Sequence, residues 1–221
     1  MIYRFGKEKV RQLLLSQIRN LWFESPSDAP LLDKYLPEIL ERVEYNFSQN
    51  DNKYYSRCEN PDDPTTMQPY FDPLHMVQWF IFLYYSANTI FRNDKSPEAR
   101  ELCDKIYGIS KMVSGCDLYY EIEMPRSFIC DHPTGTVLGR AVYGENFRFI
   151  QCCNVGMNHG IYPVLGDNVQ MYAHSKILGS SRVGNNVIVS AGTYIKDQEV
   201  PDNVIVFGTS PNLIFKERHD L

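Results

Sequence analysis

The sequence predicts an α+β protein: an α-helical N-terminal domain over residues 1–115, then a parallel β-helix of six-residue repeats over residues 116–221. Two periodicities carry this expectation. In the first half, apolar residues recur near the 3.6-residue period of an amphipathic helix, as at Val10, Leu13, Leu14, Ile18 and Leu21. In the second half they recur every six positions, at Leu165, Met171, Ile177, Val183, Val189 and Ile195. A period of six suits neither an amphipathic helix nor an alternating strand. It suits short flat strands and turns wound into a coil, whose stacked rungs bury a continuous ladder of side chains.

Taken in order, the helical half opens with YRFGKEKVRQLLLSQIRNLWF and breaks at SPSDAP. LLDKYLPEILERVEYNF follows as a second helix, kinked or restarted at Pro37, because an internal proline removes an N–H and crowds the preceding turn. SQNDNKYYSRCENPDDPTTMQP is polar and proline-bearing and reads as a long connection. Asp72 then caps a third helix with Pro73 at its first position, where the missing N–H costs nothing. Ser96-Pro97 repeats that signature ahead of PEARELCDKIYGISKMV, and Glu98 and Glu101 near its start suit the helix dipole.

The repeating half has a second inward series four residues after each of the first five positions: Val169, Ser175, Ser181, Val187 and Thr193. Leu138, Tyr143, Phe149 and Val155 extend the pattern backwards with one residue missing at the start. An ordinary β-sandwich is the alternative and leaves the fixed register unexplained. The register breaks between Val155 and Leu165, which are ten apart instead of six, so about four residues around Met157–Pro163 loop out of the coil. Loops ejected from a rigid scaffold are common sites of function.

Composition narrows the classes. A net charge of −5 argues against nucleic acid as a partner, because phosphate binding needs clustered Lys and Arg. The most apolar segment, HMVQWFIFLYYSANTIF, contains Gln78, Ser86 and Asn88 and falls short of the roughly 20 apolar residues of a membrane span. No basic stretch followed by an apolar run marks a signal peptide, so a cytoplasmic protein is expected. The six cysteines lack zinc-type pairing and are expected as reduced thiols.

The motif that carries chemistry is CDHPTGTVLG, where His132 sits between an aspartate and a proline at the start of the repeats. An imidazole can take a proton from an alcohol as it attacks, and a carboxylate on the far ring nitrogen would fix its tautomer. A hydrogen-bonded turn histidine is the bland alternative.

DLYYEIEMPRSFICDHPTG (117–135), KILGSSRVGNNVIVSAGTYI (176–195) and VFGTSPNLI (206–214) resemble the Asp-to-Asp-His-Ala-Thr-Gly stretch, the stacked hexapeptides and the closing segment of serine O-acetyltransferases. FDPLHMVQWFIFLYYSANTIF (71–91) is more loosely similar to the last long helix of that family's N-terminal domain. The resemblance implies a left-handed β-helix and acetyl transfer from acetyl-CoA to serine as the first step of cysteine biosynthesis. It implies His132 as the base, Asp117 as its orienter and Asp131 near the acceptor. It implies no metal. A backbone N–H near Gly156 and Met157 is expected to steady the oxyanion, and small residues at Ala173, Ser175, Ala191, Gly192 and Thr193 to seat the pantetheine arm.

The chain departs from that family in one loop. The family's Arg-His pair ahead of a proline, whose arginine grips the amino-acid carboxylate, is replaced here by Ile161-Tyr162 in GMNHGIYPVLG. His159 lies close enough to stand for the histidine, and Arg140 or Arg148 is left to approach from elsewhere. Asp63 in NPDDPTT is the candidate for the family's amine-side aspartate. Loss of the clamp leaves a carbohydrate hydroxyl as the alternative acceptor. His132, His159 and His174 raise the further alternative of a zinc site like that of the related gamma-class carbonic anhydrase, whose ligand spacing is not seen here. A non-catalytic scaffold is the remaining reading. The resemblance implies a homotrimer with sites between subunits, or a dimer of such trimers. No complex with cysteine synthase is expected, since the tail that docks there is not found after IFKERHDL.

Overall fold

The computed structural model describes residues 1–60 and 62–219, which form two compact units, Met1–Ser114 and Gly115–Leu221.

Among the described residues the first unit holds four α-helices, α1 (Lys7–Leu21), α2 (Asp28–Ser48), α3 (Met76–Asn93) and α4 (Pro97–Ser114). α3 is the hub, buried from Gln78 to Ile90 and packed on α2 and α4. That is why its sequence is apolar all round and not striped. Helix α2 does not restart at Pro37 but runs through it as one element. Buried Leu32 and Tyr35 on one side and Ile39, Leu40 and Val43 on the other hold the helix across the lost hydrogen bond.

The start of α3 is also corrected. It begins at Met76, where His75 Nδ1 accepts the Gln78 amide at 3.3 Å. Asp72 instead closes a turn, its Oδ1 accepting the Leu74 amide at 2.9 Å and its carbonyl the His75 amide at 3.0 Å. At α4 the Ser96 hydroxyl accepts the Ala99 amide at 3.2 Å, as the sequence suggested.

The polar stretch after α2 contains structure the sequence reading missed. Strands β1 (Ile2–Tyr3), β2 (Ser56–Cys58) and β3 (Met67–Phe71) form a small sheet in the order β1-β3-β2. Strands this short lack a readable alternation.

The second unit is a parallel β-solenoid. One face stacks β4 (Asp117–Leu118), β6 (Val137–Leu138), β8 (Asn154–Gly156), β11 (Lys176–Leu178) and β14 (Tyr194–Lys196). A second stacks β5 (Phe128–Cys130), β7 (Phe147–Phe149), β10 (Gln170–Met171), β13 (Ile188–Val189) and β16 (Val204–Thr209). The third stacks β9 (Val164–Leu165), β12 (Arg182–Val183) and β15 (Glu199–Val200). Both inward series read from the sequence are buried without exception, so the six-residue period is the interior of the coil. The closing segment forms an antiparallel hairpin of β16 and β17 (Asn212–Glu217) around a cis Ser210–Pro211 bond.

One corner of the coil is built from a ladder the sequence reading did not single out. Asn146, Asn168, Asn186 and Asn203 all take left-handed backbone, with φ of 57°, 56°, 56° and 59°. Each amide Nδ2 donates to the next asparagine's Oδ1, at 3.1, 2.9 and 2.8 Å in turn. Asparagine is among the few L residues that tolerate this conformation, and its amide both donates and accepts.

Candidate functional site

His132 lies at the corner between the second and first faces, and the backbone there is irregular. In later coils the last second-face amide and the left-handed corner amide are two residues apart. Ile150 N bonds Met171 O and Cys152 N bonds Thr134 O; Tyr172 N bonds Val189 O and His174 N bonds Gln151 O. Ser190 and Gly192 repeat the step. In the first coil Asp131 N bonds Phe149 O at 3.2 Å, but the matching corner residue, Gly135, comes four residues later and bonds Gly115 O at 2.9 Å.

This corner therefore bulges by two residues. His132 is in the bulge with φ 49° and an exposed ring, Pro133 follows it, and half-buried Asp131 precedes it. A turn histidine fully engaged by the core would be buried; this one faces outward. Asp117 sits on β4 where the chain leaves the bulge one coil away: it pairs with Val137 and its amide donates to Thr136 O at 2.8 Å.

The remaining expected residues divide by position. Ala173, Ala191 and Gly192 lie along the same corner in the coils beyond His132, Ala191 and Gly192 exposed, and a Cβ added at Gly192 would meet nothing. Ser175 and Thr193 point the other way. They are buried with Cys116, Thr136 and Cys153 along the inside of that corner, where the Cys153 amide donates to Thr136 Oγ1 at 3.1 Å. Their side chains are corrected to coil packing, which leaves only backbone for an outside ligand.

Gly156, Met157, His159 and Tyr162 lie at the far edge of the first face, where the looped-out segment is a tight hairpin. Asn158 and Ile161 exchange both amide bonds at 3.0 Å around His159 and Gly160, both left-handed. Asn158 Nδ2 ties the hairpin to Asp197 Oδ2 at 2.7 Å. Met157, Ile161 and Tyr162 are exposed on it. A single chain thus places His159 and Tyr162 at a different corner from His132.

Asp63 belongs to the first unit, where its Oδ1 accepts the Thr65 amide at 2.9 Å and the Thr65 hydroxyl at 2.6 Å. Those bonds hold its carboxyl below the usual carboxylate range. Among the described residues no three His, Cys, Asp or Glu side chains converge on a metal-sized site. No described helix is long and apolar enough to cross a membrane.

The second face carries a cleft of about 230 Å³ lined by Asp131, the residue before His132, and by Arg148, Gln170 and Tyr172 with Ile129 and Ile150. Of these, only Asp131 was expected to face a substrate. Arg148 was one of two arginines left open, and Tyr172 and Gln170 were missed. Their signal was a place on the outward side of the same strand stack as Asp131, visible only once the coils are in register.

No family profile matches the sequence. The chain is similar to the serine acetyltransferase of Staphylococcus epidermidis, 25% identical over 142 residues, which is 62% of this chain and 64% of that one. It is 32% identical to the Buchnera aphidicola serine acetyltransferase over 110 residues, 47% of this chain and 42% of that. The chain therefore spans less than two thirds of the length of these relatives. In fold it matches the Vibrio cholerae serine acetyltransferase structure with a TM-score of 0.71 at 19% identity, covering 97% of this chain and 81% of that. A serine acetyltransferase solved in complex with CoA matches with a TM-score of 0.62 at 16% identity, covering 94% of this chain and 83% of that. In sequence and fold the chain is similar to serine acetyltransferases, and it shares with their structures a helical unit followed by a β-solenoid.

Proposed function

We propose that this protein is an O-acetyltransferase that moves the acetyl group of acetyl-CoA onto the hydroxyl of serine. The observation that carries the reading is the exposed His132 beside Asp131, lifted out of the coil by a two-residue bulge.

An alcohol is a poor nucleophile at neutral pH, and His132 removes its proton as the oxygen attacks the thioester carbonyl, a contribution of about 10²–10⁴ in rate. Asp117 fixes the imidazole tautomer and stabilises the imidazolium. The tetrahedral intermediate then expels the CoA sulfur, which takes the proton back from His132 as the ester forms. A backbone N–H at Gly156 or Met157, brought to His132 from a second subunit, receives the oxyanion. Half-buried Ala173 and exposed Ala191 and Gly192 leave open room for a pantetheine arm along the corner of the base.

His159 and Tyr162, at another corner of the solenoid from His132, fit a site completed by a second subunit of a homotrimer, itself free to pair into a dimer of trimers. The cysteines are free thiols and the donor is acetyl-CoA, which suits the cytoplasm. A carbohydrate hydroxyl is the second reading, favoured by Ile161 and Tyr162 exposed where the family carries its Arg-His pair.

Thiol release from acetyl-CoA, assayed with serine and with a panel of sugars, tests both. Serine turnover that falls by about 10²–10⁴ in kcat in His132→Ala, with the fold unchanged, is the expected result. Acyl transfer indifferent to His132→Ala would remove the mechanism.

A further inference from the structure

The geometry points to a second binding site, within the helical unit, that takes a phosphate monoester on a compact organic body and grips it with Arg4 and Arg57. The assignment does not rest on the acetyltransferase reading.

Strand order brings the two arginines together. The central strand β3 carries Tyr70 on one side, with Asp72 just past its end on the same side, because alternation returns that side every second residue. Ile2 pairs with Tyr70 across one edge, and Arg57 pairs with Gln68 across the other. Arg4, two residues past Ile2, and Arg57 therefore flank Tyr70, and all three line one cavity of about 380 Å³ with Asp72. Tyr54, His75 and Gln78 supply the rest of its wall.

The charges in this wall do not cancel. Its one carboxylate, Asp72, is already engaged: Oδ2 accepts Arg4 Nη1 at 2.8 Å and Oδ1 accepts the Leu74 amide at 2.9 Å. That leaves Arg4 with further N–H groups to donate. Among the described residues no carboxylate lies within ion-pair distance of Arg57, whose guanidinium sits over the Tyr70 ring, 4.3 Å from its centroid. Stacking fixes the plane of a guanidinium and leaves its edge able to donate. One positive charge is thus held in place without a counter-charge.

The wall is also braced. Gln78 is fully buried, its Oε1 accepting the Asp72 amide at 2.7 Å and its Nε2 donating to the Tyr54 carbonyl at 2.8 Å. His75 caps α3, so the positive end of an 18-residue helix adjoins the cavity.

These features select the ligand. Strands on either side of a central one lie about 9–10 Å apart, so two arginines reaching over Tyr70 meet an anion from two sides. A carboxylate presents two oxygens in one plane and is satisfied by one fork. A phosphate monoester presents three terminal oxygens, enough for both. The volume is within the range of small-ligand sites and exceeds what a bare ion fills. The remaining space, against Tyr54 and His75, receives the organic body.

Ribose 5-phosphate is the probe, titrated calorimetrically into the full chain in phosphate-free, low-salt buffer, with ribose and inorganic phosphate as its two halves. It is expected to bind at least about 10-fold more tightly than either half, and Arg57→Gln to weaken it by about 10-fold or more, the worth of one charge-assisted contact. Arg57→Lys recovers part of the loss. Arg182→Gln, at an exposed arginine of the solenoid, lowers the net charge equally and is expected to leave the affinity unchanged. If Arg57→Gln lacks the native circular dichroism spectrum, Arg4→Gln is read in its place with the same expectation. No saturable binding of the ester, either half binding as tightly as the whole, or an affinity indifferent to Arg57→Gln overturns the assignment. So does an equal loss in Arg182→Gln, the mark of unspecific attraction.

Discussion

The Cys152 amide donates to the Thr134 carbonyl at 3.0 Å, so the coil beyond the His132 bulge clamps the end at which it rejoins the solenoid. Gly115 O clamps the same end from the other side through the Gly135 amide. The bulge is irregular but anchored, which lets an exposed histidine keep a defined position.

Gly135 completes that anchor with φ 75°, and a Cβ there would lie 3.1 Å from Cys152 Sγ. Gly135→Ala is therefore expected to cost about 1–2 kcal/mol through left-handed backbone strain. A urea unfolding curve with a lowered midpoint and unchanged slope checks this, and an unshifted midpoint would mean the corner is free to relax.

Asn168 donates to Asn186 and accepts from Asn146 within the asparagine ladder. Asn168→Ala loses both bonds and keeps a side chain that resists positive φ, for a loss of about 2–3 kcal/mol. Asn168→Gly loses the bonds but relaxes the backbone, so it is expected to be the milder change by about 1 kcal/mol. Denaturant midpoints that rank Gly below Ala in stability would contradict this account.

Thiol reactivity should divide the cysteines by burial. Cys58 and Cys152 are half-buried, while Cys103, Cys116, Cys130 and Cys153 are buried. Burial pushes the Cys103 and Cys116 thiols up to about 12 and raises Cys130 and Cys153 as well, which suppresses their thiolates. Titration with a disulfide reagent is expected to find two fast thiols in the folded protein and the other four only after denaturation. Fast reaction of all six would mean the coil interior is open.

Asp197 accepts the Ser180 amide at 2.8 Å and the Asn158 side-chain amide at 2.7 Å, and the Ser180 bond above all holds its carboxyl below the usual 3.8. A depressed folded value means the ionised form stabilises the fold. That contribution is complete above the unfolded value and is lost as pH falls through the folded one. The difference in denaturant midpoint between the native protein and Asp197→Asn is therefore expected to hold steady at neutral pH and to close below pH 3.8. A difference unchanged down to strong acid would detach the 157–161 hairpin from this carboxylate.

Much of this was legible in the linear chain, because periodic burial leaves a periodic sequence. The spacing from Leu165 to Ile195 determined a stacked coil, and the ten-residue gap after Val155 determined a loop, since one inward residue per face is needed whatever the outer side chains are. Asp-His-Pro-Thr-Gly likewise marked His132 before any geometry. What only the tertiary structure decided depends on contacts between coils. Whether Ser175 and Thr193 face ligand or core, that two extra residues at 131–135 swing His132 outward, and that Arg148 shares a cleft with Asp131 all follow from register across the ladder. Register is set by hydrogen bonds between residues about one coil apart, so no local window of sequence contains it.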